Sequence, residues 1–214
     1  MMRIALLVAM DSERRQVETL LGGTRGRVGN AEVTVSQCGI GKVNAALKAM
    51  QVIMEERPDA VVSTGVAGGV DGNIRVMDVV AGQETCYHDV WCGAGNEKGQ
   101  VQGLPARYAA DSCLLCAAER AGARKGLICT GDQFIEDSAR LGVIKGEFPE
   151  ALAVDMESAA IAQTCFLAHM PFLSLRVISD TPGNTDCHQQ QYATFWRDMA
   201  EKSFRTLSDF LRNL

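Results

Sequence analysis

The sequence contains no apolar run long enough to cross a bilayer, which takes about 20 residues, and no internal repeat, low-complexity tract or coiled-coil heptad. Membrane-spanning, solenoid and fibrous architectures are thereby set aside. An excess of positive charge is also missing: 21 Lys and Arg face 26 Asp and Glu, for a formal net charge of -5 and a pI near 5.3. That balance argues against nucleic acid or an acidic membrane as the main partner and favours a small molecule. The opening residues Met1 to Met10 place one basic residue, Arg3, ahead of a short apolar stretch. This stretch runs into Asp11-Ser12-Glu13-Arg14-Arg15 without a small-residue cleavage site. It reads as a first buried strand rather than a secretory signal, and a cytoplasmic location is expected.

A metal-ligand constellation is lacking as well. Eight cysteines stand at 38, 86, 92, 113, 116, 129, 165 and 187. Cys38, Cys129 and Cys165 lie in apolar patterns, where a thiol behaves as a small hydrophobe. Cys113-Leu-Leu-Cys116 is a lone pair in a helical pattern with no second pair and no adjacent His, and Cys187-His188 is no stronger. No metal is expected. With 214 residues, 47% of them hydrophobic, the chain can bury one real core and needs no linker, so residues 1-214 read as a single domain.

What is present is an alternation of strand and helix patterns. Strands are expected at Arg3 to Ala9, Val33 to Cys38, Ala60 to Ser63, Val79 to Ala81, Gly126 to Thr130, Ala151 to Val154 and Phe172 to Ile178. Helices are expected at Ser12 to Leu21, Lys42 to Glu56, Asp111 to Ala121, Asp137 to Lys145, Glu157 to Leu167 and roughly Gln190 to Leu211. In the second of these, apolar residues recur at 43, 46, 47, 50, 53 and 54. The pattern predicts an α/β fold, a three-layer α/β/α domain around a mixed, mostly parallel sheet. Two stretches read as long loops, Val90 to Arg107 and Thr181 to Gln191, and long loops in compact domains tend to be functional or mobile.

Two strand ends carry acids. The run Ala153-Val154-Asp155-Met156-Glu157-Ser158 sets two carboxylates where an apolar strand turns into an apolar helix, and Arg176-Val177-Ile178-Ser179-Asp180 ends the next strand. Each acid has an ordinary structural reading: Asp155 as a helix cap, Asp180 as a turn residue, Glu157 as a first-turn acid. Three together, at the carboxyl ends of strands where α/β proteins bind ligands, point to a site. Thr64-Gly65-Val66-Ala67-Gly68-Gly69 follows another strand and reads as a tight turn that admits close backbone approach. It matches neither a Walker loop nor GxGxxG.

Six segments taken together resemble a known family. Met10-Asp-Ser-Glu13, Cys38-Gly-Ile-Gly-Lys-Val43, Thr64-Gly-Val-Ala-Gly-Gly69, Thr130-Gly-Asp-Gln-Phe-Ile135, Val154-Asp-Met-Glu157 and Ile178-Ser-Asp180 are similar, in order and spacing, to the 5'-methylthioadenosine/S-adenosylhomocysteine nucleosidases. These belong to the wider nucleoside phosphorylase superfamily. The resemblance implies hydrolysis of an N-glycosidic bond by a homodimer without metal or organic cofactor, with the 90-105 loop near the partner's site. By similarity, Asp180 would protonate purine N7, Glu157 would bind the ribose hydroxyls and Glu13 would activate water. Ser179 and Arg176 would support Asp180, whose pKa must be raised for it to hold a proton near neutrality. Phe134 would stack on the purine, the Ile135 backbone would read its edge, and Met156 would pack on the ribose. Met10, Ile40 and Tyr192 would line the pocket for the 5' substituent, with Val66, Ala67 and Gly68 from the glycine motif beside the substrate.

Three positions depart from the family pattern. Val66 stands where Ser is usual, Met77 replaces a usual Gly, and the 90-102 loop is polar and glycine-rich where the family has an apolar one. These leave open the 5' specificity, including another purine nucleoside such as aminodeoxyfutalosine. Phosphorolysis is an alternative, but Asp11, Ser12 and Glu13 stand where a phosphate-binding loop would need arginine. A nucleoside-binding protein without turnover is a further one.

Overall fold

β1 (Met2–Val8) shows how the sheet is buried in the computed structural model, which describes residues 1-181 and 205-214. Ile4, Leu6 and Val8 join one core cluster with Val62, Leu173 and Leu175. Ala5 and Leu7 join another, with Val61, Ala45 and Ala49. Alternate residues point to opposite faces of a strand, so an unbroken apolar run marks a strand covered on both sides. The chain continues through α1 (Asp11–Leu21), β2 (Arg25–Val28), β3 (Ala31–Gln37), α2 (Lys42–Glu56), β4 (Ala60–Gly69), β5 (Val79–Tyr87), β6 (Tyr108–Ala109) and α3 (Ser112–Arg120). It ends with β7 (Arg124–Thr130), α4 (Ser138–Glu147), β8 (Ala151–Asp155), α5 (Ser158–Leu167), β9 (Phe172–Asp180) and a helical segment at 205-212.

The strands form one mixed sheet in the order β2-β3-β1-β4-β8-β7-β5-β6, with β9 paired to both β4 and β5. β1 pairs parallel with β3 and β4, β4 with β9, and β7 with β5 and β8. Because Gly68 and Gly69 of β4 also pair with Val154 and Ala153 of β8, β4, β9, β5, β7 and β8 close into a ring. Each contributes one residue to a shared cluster: Ala67, Ile178, Val80, Ile128 and Ala153. Side chains fill this small ring, and the carboxyl ends of β1, β4, β7, β8 and β9 surround the site.

Several expectations change. The glycine motif is no turn: β4 runs on through Gly69, because Thr64 to Gly68 pair with Leu175 to Asp180 of β9. β5 extends past Ala81 to Tyr87, and the short strands β2 and β6 have no counterpart in the sequence reading. The apolar stripe of α2 faces outward, with Val43 70%, Leu47 67% and Met54 69% exposed, while Ala45, Ala49 and Val52 are buried. Small residues there let α2 approach the Ala159-Ala160-Ile161-Ala162 run of α5 closely. Met77 adopts a left-handed backbone, φ 74°, the conformation in which glycine is at ease. Of the helix expected from Gln190 to Leu211, only the part from residue 205 lies within the described residues, and the loop from Thr181 to Gln191, with Cys187 and Tyr192, lies outside them beyond Thr181. Among the described residues no helix is long and apolar enough to cross a membrane, and no group of three or more His, Cys, Asp or Glu is placed to hold a metal ion.

Candidate active site

A cleft at the carboxyl ends of the strands encloses about 690 Å³, counting the space open to solvent, within the range that takes a small organic ligand. Glu13 forms one wall from the first turn of α1. Its side chain folds back, so that Oε2 accepts the N–H groups of Ala9 and Met10, each at 2.9 Å, and Oε1 accepts the Val66 N–H at 3.0 Å. Gly65 makes the approach possible: a Cβ there would lie 2.4 Å from Glu13 Oε1. Burial raises the Glu13 pKa against the lowering effect of these N–H groups and of Arg176. A carboxylate offers about four acceptor positions, so three N–H donors leave one for a ligand or water.

Asp180 enters through a β-bulge. The register between β4 and β9 shifts at Ala67/Gly68, where Gly68 pairs with Asp180 and Ser179 is passed over. Such a bulge re-aims the side chains beside it. Both residues line the cleft, and the Ser179 hydroxyl donates to Asp180 Oδ1 at 2.6 Å. Asp180 is 6% exposed.

The junction of β8 and α5 separates its two acids by task. Asp155 closes the local structure: Oδ1 accepts the Thr130 hydroxyl at 2.6 Å, Oδ2 accepts the Ser158 N–H at 3.2 Å, and the Ser158 hydroxyl donates to the same oxygen. Its structural reading as a helix cap is therefore the larger part of its role. Glu157 faces the cleft, and its Oε1 accepts the Gly41 N–H at 3.0 Å. Burial, then the neighbouring charge of Asp155, pushes the Glu157 pKa up to about 7, although Arg176 and the Gly41 N–H pull against it.

Arg176 sits beneath the cleft, 2% exposed, and is not among the cleft-lining residues. Its Nε donates to Asp155 Oδ2 at 2.7 Å and its Nη2 to the Ser63 hydroxyl at 2.8 Å, so it supports the acidic floor. Burial opposes its charge, but Asp155, Glu157 and Glu13 together hold its pKa above the ordinary value. Nη1 is buried without a hydrogen-bond partner among the described residues.

The remaining expected residues gather at the mouth and walls. Met10, Ile40, Val66, Ala67, Gly68, Phe134, Ile135 and Met156 all line the cleft, with Phe134 59% and Ile40 50% exposed. Tyr192 lies outside the described residues. Ala9, Gln133, Val154 and Asp155 also line it. In the sequence Ala9, Gln133 and Val154 each read as a spacer within their own segment, and only the fold brings them to the cleft. None of the described lining residues is basic.

This geometry has close parallels among known proteins. The phosphorylase superfamily model matches residues 4–212. A 5'-methylthioadenosine/S-adenosylhomocysteine nucleosidase from Geobacillus kaustophilus is 42% identical over 85% of this chain and 86% of its own. The chain belongs to the 5'-methylthioadenosine/S-adenosylhomocysteine nucleosidase family of the phosphorylase superfamily. Among solved structures, the nucleosidase from Neisseria meningitidis in complex with methylthio-immucillin-A superposes with a TM-score of 0.93 at 34% identity, covering 100% of both chains. The nucleosidase from Colwellia psychrerythraea in complex with adenine gives a TM-score of 0.92 at 32% identity, covering 100% of this chain and 96% of that one. For this member of the family, the mixed sheet and the expected fold class stand.

Proposed function

We propose that the protein hydrolyses the N-glycosidic bond of 5'-methylthioadenosine and S-adenosylhomocysteine, releasing adenine. The observation that carries this reading is the convergence of Glu13, Glu157 and Asp180 on one cleft whose described lining has no basic residue. Glycoside cleavage builds positive charge on the ribose and negative charge on the leaving base, so it needs anions beside the sugar and an acid beside the purine. Glu157 receives the ribose hydroxyls, and its ionised form stabilises the developing cation. Asp180, aligned by the Ser179 hydroxyl, gives its proton to purine N7. Glu13 uses its remaining acceptor position to orient water and take its proton. Arg176 keeps the three buried acids Asp155, Glu157 and Glu13 from repelling one another.

Phe134 stacks on the purine while the Ile135 backbone reads its edge. Met156 packs on the ribose. Val66 offers no hydroxyl, but its N–H serves Glu13, so the cleavage machinery is retained. No cofactor takes part. We assign residues 1-214 to one domain that acts in the cytoplasm, in methionine salvage, as a homodimer. The exposed stripe of Val43, Leu47 and Met54 forms the face between subunits, with the 90-105 loop near the partner's cleft.

The experiment is to incubate the protein with 5'-methylthioadenosine, with and without phosphate, and to identify the sugar by mass. Free methylthioribose in both samples is expected. A sugar phosphate formed only with phosphate would make it a phosphorylase.

A further inference from the structure

α2 begins without a side-chain cap, at Gly41 with φ 93°, and its first two N–H groups go to carboxylates from distant parts of the chain. The Gly41 N–H donates to Glu157 Oε1 at 3.0 Å, and the Lys42 N–H to Asp132 Oδ1 at 2.8 Å. The partial positive charge of a helix N-terminus favours both contacts. Asp132 opens the loop that carries Phe134 and Ile135. One peptide unit therefore spaces the ribose acid from the purine loop.

The Lys42 side chain then closes a cycle. Its Nζ lies 2.8 Å from Asp89 Oδ2 and 3.8 Å from Asp132 Oδ2, and Asp89 Oδ2 also accepts the Asp132 N–H at 2.9 Å. Three segments meet here: the start of α2, the second residue beyond the end of β5, and the purine loop. The side chains of Lys42 and Asp89 are only 23% and 14% exposed, so this is no solvent-screened surface pair. Burial works against the Asp89 charge, yet Lys42 and the Asp132 N–H outweigh it and hold the carboxyl below its ordinary range. Without the ammonium, two neighbouring carboxylates would repel and the loop would swing away from α2.

We infer that Lys42 is a positioning residue for the proposed reaction: through Asp89 and Asp132 it sets the spacing between Glu157 and the purine-binding face of Phe134 and Ile135. The inference rests on the nucleosidase reading. Lys42, Asp89 and Asp132 are not among the residues lining the cleft, so they act by placing Glu157 and the loop of Phe134 and Ile135, which are. A displacement of the purine loop by about 1 Å is enough to cost on the order of 10²-fold in rate.

The test compares wild type with Lys42→Met, Lys42→Arg and the double variant Lys42→Met/Asp89→Asn, measuring kcat and KM for 5'-methylthioadenosine, adenine affinity by calorimetry, and the urea midpoint. Lys42→Met keeps the unbranched side chain out to Cε and the backbone contact to Asp132 but removes the cation. Its kcat/KM is expected to fall about 10- to 100-fold, with adenine bound more weakly. Lys42→Arg restores most of the loss, and adding Asp89→Asn restores part of it by removing the repulsion. Should Lys42→Met fail to fold, Asp132→Asn, whose side chain is 48% exposed, serves in its place with the same direction expected.

The inference is overturned if the urea midpoint falls while kcat, KM and adenine affinity of the folded protein stay at wild-type values, or if Lys42→Arg is no better than Lys42→Met. A wild-type protein that cleaves nothing would refute the nucleosidase reading instead. The adenine affinities would then decide about Lys42 alone.

Discussion

Raising the pH should destabilise the free protein through Glu157, and Glu157→Gln should remove that loss. The residue is 7% exposed, and burial followed by the Asp155 charge lifts its pKa from 4.5 to about 7. Between those values the folded chain keeps a proton that the unfolded chain has released, so stability falls as pH rises across the window. At about 1.36 kcal/mol per pKa unit, the separation amounts to about 3 kcal/mol. Glu13, also held high by burial, acts in the same direction. His88, whose pKa burial lowers, acts in the opposite one below its ordinary value. Carboxyls held low by their partners, such as Asp59 beside Arg3 and Asp71 beside Lys145, titrate below this window. The comparison of wild type with Glu157→Gln therefore isolates one group. Urea unfolding of both proteins at a series of pH values from about 4 to about 8 should show the variant gaining about 3 kcal/mol on wild type. Parallel curves, or a wild type that gains on the variant with rising pH, would refute the reasoning. The same titration should appear in catalysis as part of the acid limb of kcat/KM, near 7 in the free enzyme, and Glu157→Gln should leave only the part that Glu13 contributes.

Two further substitutions probe the backbone and the surface. Gly65→Ala would place a Cβ 2.4 Å from Glu13 Oε1 and push the carboxylate out of its cradle of three N–H groups. Its kcat should fall by about 100-fold or more with KM changed less, and an unchanged kcat would show that Glu13 needs no such fixed position. Leu47→Asp, at a residue 67% exposed in the single chain, should weaken self-association. Each buried leucine contributes about 2 kcal/mol, and a twofold interface counts it twice, so the dimer constant should rise roughly 10³-fold. Sedimentation at graded concentration measures this, and a wild type that sediments as a monomer throughout would remove α2 as the subunit face.

Much of this arrangement is legible in the sequence for a physical reason. A buried strand such as β1 is written as an unbroken apolar run from Ile4 to Val8, and acids that interrupt such patterns at Asp155, Glu157 and Asp180 stand out because burial makes them costly. Where legibility fails, a long-range contact has overruled a local signal. Gly65, Gly68 and Gly69 look like a turn, but they are strand residues that yield space, Gly65 to Glu13 and Gly69 to Ile74 and Ile178. The stripe on α2 looks like a core face, yet the close α2–α5 contact takes Ala45 and Ala49 instead. Arg176 reads in the sequence as a support for Asp180, four positions further along the same strand. Its guanidinium meets Asp155 of β8 and Ser63 of β4, a meeting that only the closed ring of strands creates. Lys42 is hidden for the same reason, since its two acids come from separate segments.

The most direct test of the catalytic account is the rate of adenine release from saturating 5'-methylthioadenosine by Asp180→Asn beside wild type. With its neighbour Ser179 and the rest of the cleft intact, the variant should bind adenine but release it from substrate about 10²- to 10⁴-fold more slowly, the loss expected for a missing general acid. Turnover close to that of wild type would contradict the assignment of Asp180 as the proton donor.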